Sequence, residues 1–407
     1  MVFSHRPLLH LSLLSVLLLS PPARSANADL EVETDFPGGS AQVLEINPYT
    51  QYIRIQPKMQ KNRGWACWWY FKVSGIDPSR PLHLDVGKNF WSTPDRASYS
   101  LDGKTWKHSK PGERTGTQMR YQFHVKRDTI WIAWGPPFVH HDAEKLIANA
   151  GRHSSAEPFV LCTSRGGHKT HAIRITDPRG NTGDRPVIWV HARQHAWEVG
   201  SSWVAKGLIE WLVSNDPKAQ ALRREAEIVV VPIMDVDNVV RGAGGKNQIP
   251  HDHNRDWTKR PHWKSVAKAQ KQIKELDKAG RLEMFIDLHC PGATDRFPYY
   301  YIPPSSVMSD IGKRNLNAFL LCSRTQMRGP LRYLGRAVES GANYDPKNWK
   351  AISKNWVAMN CQENVVSVTL EVAWNTPSST VHGYQTVGKQ LGLSMGDYMG
   401  MALRGAE

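Results

Sequence analysis

Cysteine is scarce: five residues in 407, at positions 67, 162, 290, 322 and 361, with no tight spacing among them. That excludes a small disulfide scaffold, and the odd count leaves at least one thiol free or paired between molecules. Long apolar runs are missing after the N-terminus. None approaches the roughly 20 residues needed to span a bilayer, so no stable membrane span is expected once the first segment is removed. Internal repeats and low-complexity stretches are also absent. Acidic residues are few beside basic ones, 37 against 52, a formal net charge of +15. Such a field attracts acidic polymers: anionic peptides, cell-wall material or nucleic acid. The basic residues are scattered, however, without an arginine-rich arm or zinc-finger spacing, which sets nucleic acid aside as a partner.

What is present describes a folded, exported protein. Hydrophobic residues make up 40% of the chain and charged ones 22%, the balance of a globular protein. The length suits two domains, one of them large. Most of the sixteen Trp are expected in cores or cleft walls. His5 and Arg6 precede an apolar block, Leu8 to Leu19, followed by Pro21, Pro22 and small residues between Ala23 and Ala28. A basic start, a short apolar centre and a small-residue end read as a secretory signal peptide over residues 1–28. Its removal takes Arg6 and Arg24 and leaves 50 basic against 37 acidic residues, an excess of 13.

Residues 29–150 read as a small all-β sandwich. Trp68–Val73 and Thr129–Trp134 are rich in strand formers, and Asp102-Gly103 between strand residues signals a hairpin. From 151 to 407 strand-like and helix-like segments alternate, which means an α/β domain with a mostly parallel sheet flanked by helices. Its expected strands include 186–190, 227–233, 283–288 and 365–371, and its expected helices 201–213, 263–278 and 386–403.

Three side chains stand out. His195 and Glu198 form a His-x-x-Glu pair just after the apolar strand 186–190, and His289 ends the run Met284–His289. Two His and one Glu are a frequent ligand set for a catalytic zinc with one open position. Open parallel sheets present such ligands at the carboxyl ends of their strands. Asn254-Arg255 follows a glycine-rich loop; an Arg fork binds a carboxylate with two parallel hydrogen bonds and an Asn amide can complete the grip. Glu371 ends the run Val365–Leu370, where a carboxylate beside a metal could move protons. Asp287 shares a strand face with His289 and could orient it, or could be a satisfied core aspartate. His251 and His253 read as loop histidines.

In this order the motifs resemble the zinc carboxypeptidases, the M14 peptidase family, and within it the bacterial members of the cytosolic-carboxypeptidase-like branch. The likeness is carried by Ala192-Arg-Gln-His195-Ala-Trp-Glu198, Asp235-Val-Asp-Asn-Val-Val-Arg241-Gly242 and Asn254-Arg255-Asp-Trp257. In the β-domain it is carried by Tyr99–Trp106 and Ile132–Pro137. The resemblance implies His195, Glu198 and His289 as ligands of one zinc ion. It further implies Asn254 and Arg255 as the clamp on a substrate's terminal carboxylate, and Glu371 as general base and then acid. Where the family places the arginine that polarises the scissile carbonyl, equal-length alignment puts Gly245. Lys246 is the expected substitute, ahead of Arg241, which matches a different family arginine. Tyr344 lies in the region of the family's substrate-closing tyrosine. Cys290, where relatives often have Gly, is expected as a packed thiol.

The expected activity is therefore that of an exported metallocarboxypeptidase. It would hydrolyse C-terminal amino acids from peptides or proteins by zinc-activated water, with Lys246 and zinc holding the oxyanion. Lys350 and Lys354, upstream of Glu371, hint at acidic terminal residues. The rival readings are an amidase or peptidase trimming cell-wall peptides on the same scaffold, and a catalytically weak polymer-binding protein.

Overall fold

The computed structural model describes residues 1–2, 29–88, 93–180 and 182–404. The signal-peptide segment, apart from its first two residues, lies outside the described residues. No helix among those described is long and apolar enough to cross a membrane.

Ten strands build the first domain. They are β1 (Glu31–Glu33), β2 (Gln42–Asn47), β3 (Tyr52–Gln56), β4 (Tyr70–Ser74) and β5 (Leu82–Val86). There follow β6 (Ser98–Ser100), β7 (Lys107–His108), β8 (Glu113–Thr115), β9 (Gln118–Phe123) and β10 (Ile130–Ala133). One antiparallel sheet runs β1-β4-β10-β6-β7 and a second, mixed sheet runs β2-β3-β5-β9-β8. Alternation makes the sandwich: Ile53 and Ile55 of β3, Leu82, Leu84 and Val86 of β5, and Met119, Tyr121 and Phe123 of β9 share one core with Phe71, Val73, Ile130 and Ile132. The Asp102-Gly103 hairpin forms, with Ser98 opposite His108 and Tyr99 opposite Lys107. Its connection is six residues long rather than a two-residue turn. The Asp102 carboxylate takes over the loop, accepting bonds from the backbone N–H groups of Lys104 (2.8 Å) and Thr105 (2.6 Å).

The α/β part of the chain follows, with one helix ahead of its expected start. Residues His140–Ala150 form a helix, α1, inside the stretch read as all-β. Ala143, Leu146, Ile147 and Ala150 recur at helical spacing and are buried. The following elements are β11 (Ala156–Thr163), β12 (Lys169–Ile175), β13 (Val187–Ala192), α2 (Val199–Leu212) and α3 (Pro217–Glu225). Then come β14 (Glu227–Val231), α4 (Val236–Arg241), α5 (Lys264–Lys278), β15 (Leu282–His289), β16 (Tyr299–Ile302) and α6 (Asp310–Gln326). β17 (Ala337–Glu339), α7 (Ser353–Asn360), β18 (Val366–Glu371) and α8 (Val381–Arg404) complete it. Sequence reading missed α3, β11, β16 and β17. β16 and β17 are short and sit at one edge of the sheet, where burial is one-sided and the apolar signal is weak.

The eight strands lie in the order β11-β12-β14-β13-β15-β18-β16-β17. Its centre, β14-β13-β15-β18, is parallel. Helices cover both faces, so β13 and β18 are buried at every residue. Ile188, Val190, Met284 and Ile286 face one core with Leu208 of α2 and Leu391 of α8. Trp189, Val229 and Phe285 face the other with Val266 and Ile273 of α5. Helices α2 and α8 touch backbone to backbone: a Cβ on Gly207 would lie 2.2 Å from the Gln385 carbonyl oxygen, and one on Gly388 would lie 2.1 Å from that of Val204. This contact fixes α2, whose first turn carries the site.

Candidate active site

Strand order does the first part of the work. β13, β15 and β18 are parallel neighbours, so the residues at their carboxyl ends open onto one place. His289 and Glu371 are opposite partners at the ends of β15 and β18. After β13 the chain turns sharply at Arg193, whose φ is +65°. Its buried guanidinium holds the turn by donating to the Ala196 carbonyl (2.7 Å), the Phe138 carbonyl (3.2 Å) and the Ser202 hydroxyl (3.1 Å). The turn delivers His195, and Glu198 caps the start of α2.

These residues converge. His195 Nδ1 lies 2.7 Å from Glu198 Oε1, and His289 Nδ1 lies 2.6 Å from Glu198 Oε2. All three are buried, and among the described residues only this trio brings ligand atoms within 4.8 Å of one another. One far nitrogen is hydrogen-bonded, His289 Nε2 with Asp287 Oδ2 at 2.9 Å, and the other, His195 Nε2, has the Asp252 carboxylate beside it at 3.4 Å as a charge contact. A proton on each far nitrogen leaves each Nδ1 lone pair aimed inward, the tautomer a metal requires. The donor set of two imidazoles and one carboxylate, with oriented outer partners, fits a zinc ion. This is the one zinc site, made by His195, Glu198 and His289.

A cavity of about 460 Å³ opens beside the trio, and Lys246, Asn254, Arg255, Tyr344 and Glu371 all line it. Asn254 is anchored through its Oδ1, which accepts from the Ser353 backbone N–H (2.9 Å); its Nδ2 stands 3.2 Å from His289 Nε2, whose proton is turned to Asp287. Arg255 donates through Nε to Asp345 (2.7 Å) and through Nη1 to the Asn254 carbonyl (3.0 Å), which leaves Nη2 at the cavity wall without a hydrogen-bond partner among the described residues. The Arg255 guanidinium sits 5.9 Å from the centre of the Tyr344 ring, a half-exposed side chain at the cavity wall. Lys246 Nζ lies 3.4 Å from His195 Nε2 and 3.7 Å from Asp252 Oδ2.

Gly245 cannot host the family's arginine here. Its φ is +78°, and a Cβ would stand 2.6 Å from Asp235 Oδ2 and 2.8 Å from the Ala196 nitrogen. Lys246 is the cationic side chain that this loop turns into the cavity. Arg241, by contrast, lines a separate cleft.

Charges in the cavity are shaped by burial. Burial pushes the Glu371 carboxyl up to about 8, against the pull of His289 and with Glu198 and Asp287 adding to the rise. Its Oε2 has no hydrogen-bond partner. Burial would also raise Glu198, but the two imidazoles win and hold it near about 2. The Lys246 ammonium is lowered by burial, offset in part by Asp252.

Other sequence expectations are redistributed. Lys350 is exposed with its Nζ over Trp349, outside the cavity. Lys354 is fully buried and lines it, donating to Ser340 Oγ (2.5 Å) and Asn355 Oδ1 (2.7 Å). Cys290 is a buried thiol at the wall, and all five cysteines are free. His251 and His253 do have acidic neighbours, Asp256 at 2.5 Å and Asp235 at 3.5 Å, but build no metal group. Sequence reasoning missed Asp252, Trp65 and Thr369. The first is two residues before Asn254, Trp65 comes from the β-domain, and Thr369 Oγ1 is a buried hydroxyl with no partner at the cavity wall. None of them has a spacing that marks it.

A buried His₂Glu centre at the ends of parallel strands, beside a cavity with an Arg fork and a free carboxylate, defines a zinc-hydrolase scaffold. The family description "zinc carboxypeptidase" matches residues 145–293, and "cytosolic carboxypeptidase N-terminal domain" matches residues 32–134. Cytosolic carboxypeptidase 3 of Bos taurus is 22% identical over 304 residues, covering 67% of this chain and 30% of that protein. The chain thus spans less than a third of that relative's length. An uncharacterized protein of Zymomonas mobilis is 26% identical over 294 residues, 70% of this chain and 73% of that one. The crystal structure of a metallo-carboxypeptidase from Burkholderia cenocepacia shares the fold, with a TM-score of 0.79 at 18% identity, covering 92% of this chain and all of the other. The chain thus resembles the M14 zinc carboxypeptidases over residues 145–293, behind a segment that matches the cytosolic carboxypeptidase N-terminal domain over residues 32–134.

Proposed function

We propose that this protein is an exported carboxypeptidase that removes C-terminal residues, acidic ones preferentially, from peptides or protein tails. The observation that carries the reading is one cavity lined by the zinc trio, Arg255 and Glu371 together. Zinc, when bound, supplies a Lewis acid for the scissile carbonyl and lowers the pKa of a water it holds. The chain's own residues do the rest. The outer fork of Arg255, with Asn254 beside it, receives the substrate's terminal carboxylate, so only a free C-terminus fits. Glu371 accepts a proton from the attacking water at its unpartnered oxygen and returns it to the leaving amine. The Lys246 ammonium donates toward the developing oxyanion. Tyr344 closes the wall over the bound residue.

The terminal side chain would meet Lys354. Its ammonium has three donors, of which Ser340 and Asn355 occupy two, and it makes no ion pair among the described residues. A substrate carboxylate supplies the missing anion, and the unpartnered Thr369 hydroxyl adds a donor.

The test is release of amino acids from a peptide panel differing only in the last residue, with metal analysis alongside. A chelator should abolish release and zinc restore it. Hydrolysis of muropeptides in place of glutamate-ended peptides would favour the cell-wall reading, and no turnover with zinc bound would favour a binding protein. Export rests on the basic, apolar and small-residue pattern of residues 1–28. N-terminal sequencing of protein from fractionated cells tests it: a chain beginning near Ala26–Asp29 is expected, and an intact Met1 in the cytoplasm would refute it.

A further inference from the structure

A second cleft lies where the two domains meet, on the other side of the loop that carries Lys246. Its volume is about 370 Å³. Lys61 and Arg63 reach it from the β-domain, between β3 and β4; Arg165 and Arg241 reach it from the catalytic domain. The only acid at its wall, Asp237, is already engaged, accepting from the Ser164 hydroxyl (2.6 Å) and the Gly166 N–H (2.9 Å). Arg165 is held in place by two bonds to the His262 carbonyl, at 3.0 and 3.3 Å. Among the described residues the side chains of Lys61, Arg63 and Arg241 have no acidic partner.

Three guanidinium groups and one ammonium therefore line one half-open cleft, against a single acid that is already hydrogen-bonded. Guanidinium keeps its charge at any ordinary pH, so an anion is the complementary ligand for this cleft. The walls are also fixed. Gln60 Nε2 donates to the Arg241 carbonyl (3.0 Å), the Ile249 N–H to the Asn62 carbonyl (3.1 Å), and the Gly245 N–H to the Arg63 carbonyl (2.9 Å). The backbone that carries Arg63 and Arg241 is thus in place before any ligand arrives, and Arg165 is held by its own side-chain bonds.

We propose that this interdomain cleft binds a small polyanion of the phosphate class. Three of its four cations are planar arginine forks, which match the several oxygens of a phosphate group. They approach from opposite walls, which suits a compact ion better than an extended chain, and the volume lies in the range of small-molecule sites. The cleft is separate from the catalytic cavity, so the proposal stands apart from the peptidase reading.

Calorimetric titration of the full chain with tripolyphosphate at about 0.15 M salt, near the physiological Debye length of ~8 Å, tests it. One saturable equivalent is expected. Arg63→Ala and Arg241→Ala should each weaken it at least about tenfold, the cost of one charge-assisted bond, and Arg241→Lys should weaken it less. Arg255→Ala, in the catalytic cavity, should leave it intact, and melting temperatures should show that the variants fold. Absence of saturable binding overturns the proposal, as does affinity unchanged in both alanine variants. Loss in Arg255→Ala would place the anion in the catalytic cavity and also overturn it. Hexaglutamate binding more tightly than tripolyphosphate through Arg63 and Arg241 would refute the phosphate class.

Discussion

Replacing Lys354 by Met isolates the part of the active site that reads the substrate's last side chain. Methionine keeps most of the bulk of a residue that is wholly buried and removes the ammonium with its donors to Ser340 and Asn355. In the native cavity the ammonium keeps one donor for a glutamate side chain after bonding Ser340 and Asn355. Cutting one partner of a buried, hydrogen-bonded charge pair costs about 2–5 kcal/mol. The lower half of that range applies here, because Ser340 and Asn355 already share the ammonium. About 2–3.5 kcal/mol is roughly 30- to 300-fold at ~1.4 kcal/mol per decade. The assay is kcat/KM for two peptides that differ only in ending with Glu or Gln. The native enzyme should favour Glu by that factor, and the variant should treat the two alike. Titration gives an independent check. Burial lowers the Lys354 ammonium to about 7, with Asp287 opposing and Arg255 adding to the fall. Free enzyme therefore loses the charge as pH rises through about 7, while a bound carboxylate holds the proton to higher pH. KM for the Glu peptide should rise about tenfold per pH unit above 7, and KM for the Gln peptide should not. A Glu preference that survives in Lys354→Met, or a KM flat to pH 9, would refute the reasoning.

Four further outcomes are expected. Glu371→Gln should lower kcat by about 10²–10⁴ with one zinc still bound; near-native turnover would remove Glu371 from proton transfer. Arg255→Ala should raise KM for peptides with a free C-terminus about 10- to 150-fold, the worth of hydrogen bonds to charged groups, and the amidated versions of the same peptides should remain non-substrates. Gly245→Arg should impair the enzyme rather than restore a family feature, because its Cβ would collide with Asp235 and Ala196; a melting temperature and kcat at native level would contradict this. Asp287→Ala should weaken zinc binding about 10- to 100-fold, read by competition with a chelator, and unaltered affinity would show that His289 needs no support.

The legibility of this chain was uneven for physical reasons. The central strands β13, β14, β15 and β18 stand out because both faces are buried, which makes 187–192, 227–231, 282–289 and 366–371 rich in apolar and β-branched residues and free of Lys and Arg. The zinc trio could be read because its members sit at the ends of those runs, where a polar residue is conspicuous. Helix α1 was missed because it follows directly on β-domain sequence and begins with two histidines, which carry no strong helical signal. Asp252, Thr369 and Trp65 were invisible for a different reason. Each acts through a neighbour distant in sequence, Asp252 through His195 and Trp65 through the meeting of two domains, and spacing says nothing about such contacts. Lys350 and Lys354 could not be told apart until α7 turned one into the cavity and the loop before it left the other in solvent.

Asp287 explains why motifs so far apart arrive together. Its Oδ2 accepts from Gln194 Nε2 (2.7 Å), next to His195, and from the Ser353 hydroxyl (2.6 Å), at the start of α7, and faces His289 Nε2 (2.9 Å). Gln194 in turn accepts from the Trp257 indole (2.8 Å), two residues beyond Arg255, while the Ser353 backbone N–H holds Asn254. A buried carboxylate with no partners would be driven toward neutrality by its surroundings; burial acts that way here, but His289 and His191 outweigh it and hold Asp287 well below the usual carboxylate range. One fixed negative charge therefore orients a zinc ligand, the turn before the other zinc histidine, and the residue beside the carboxylate clamp. An apolar residue at 287 would fill the same space, yet it would free the Gln194 amide and the Ser353 hydroxyl, each a buried donor worth about 1–3 kcal/mol when left unmade. The second sequence element, Asn254-Arg255-Asp-Trp257, is thus tied to the first and third by side chains rather than by any strand. This tie makes the geometry of the clamp depend on the same carboxylate as the geometry of the metal.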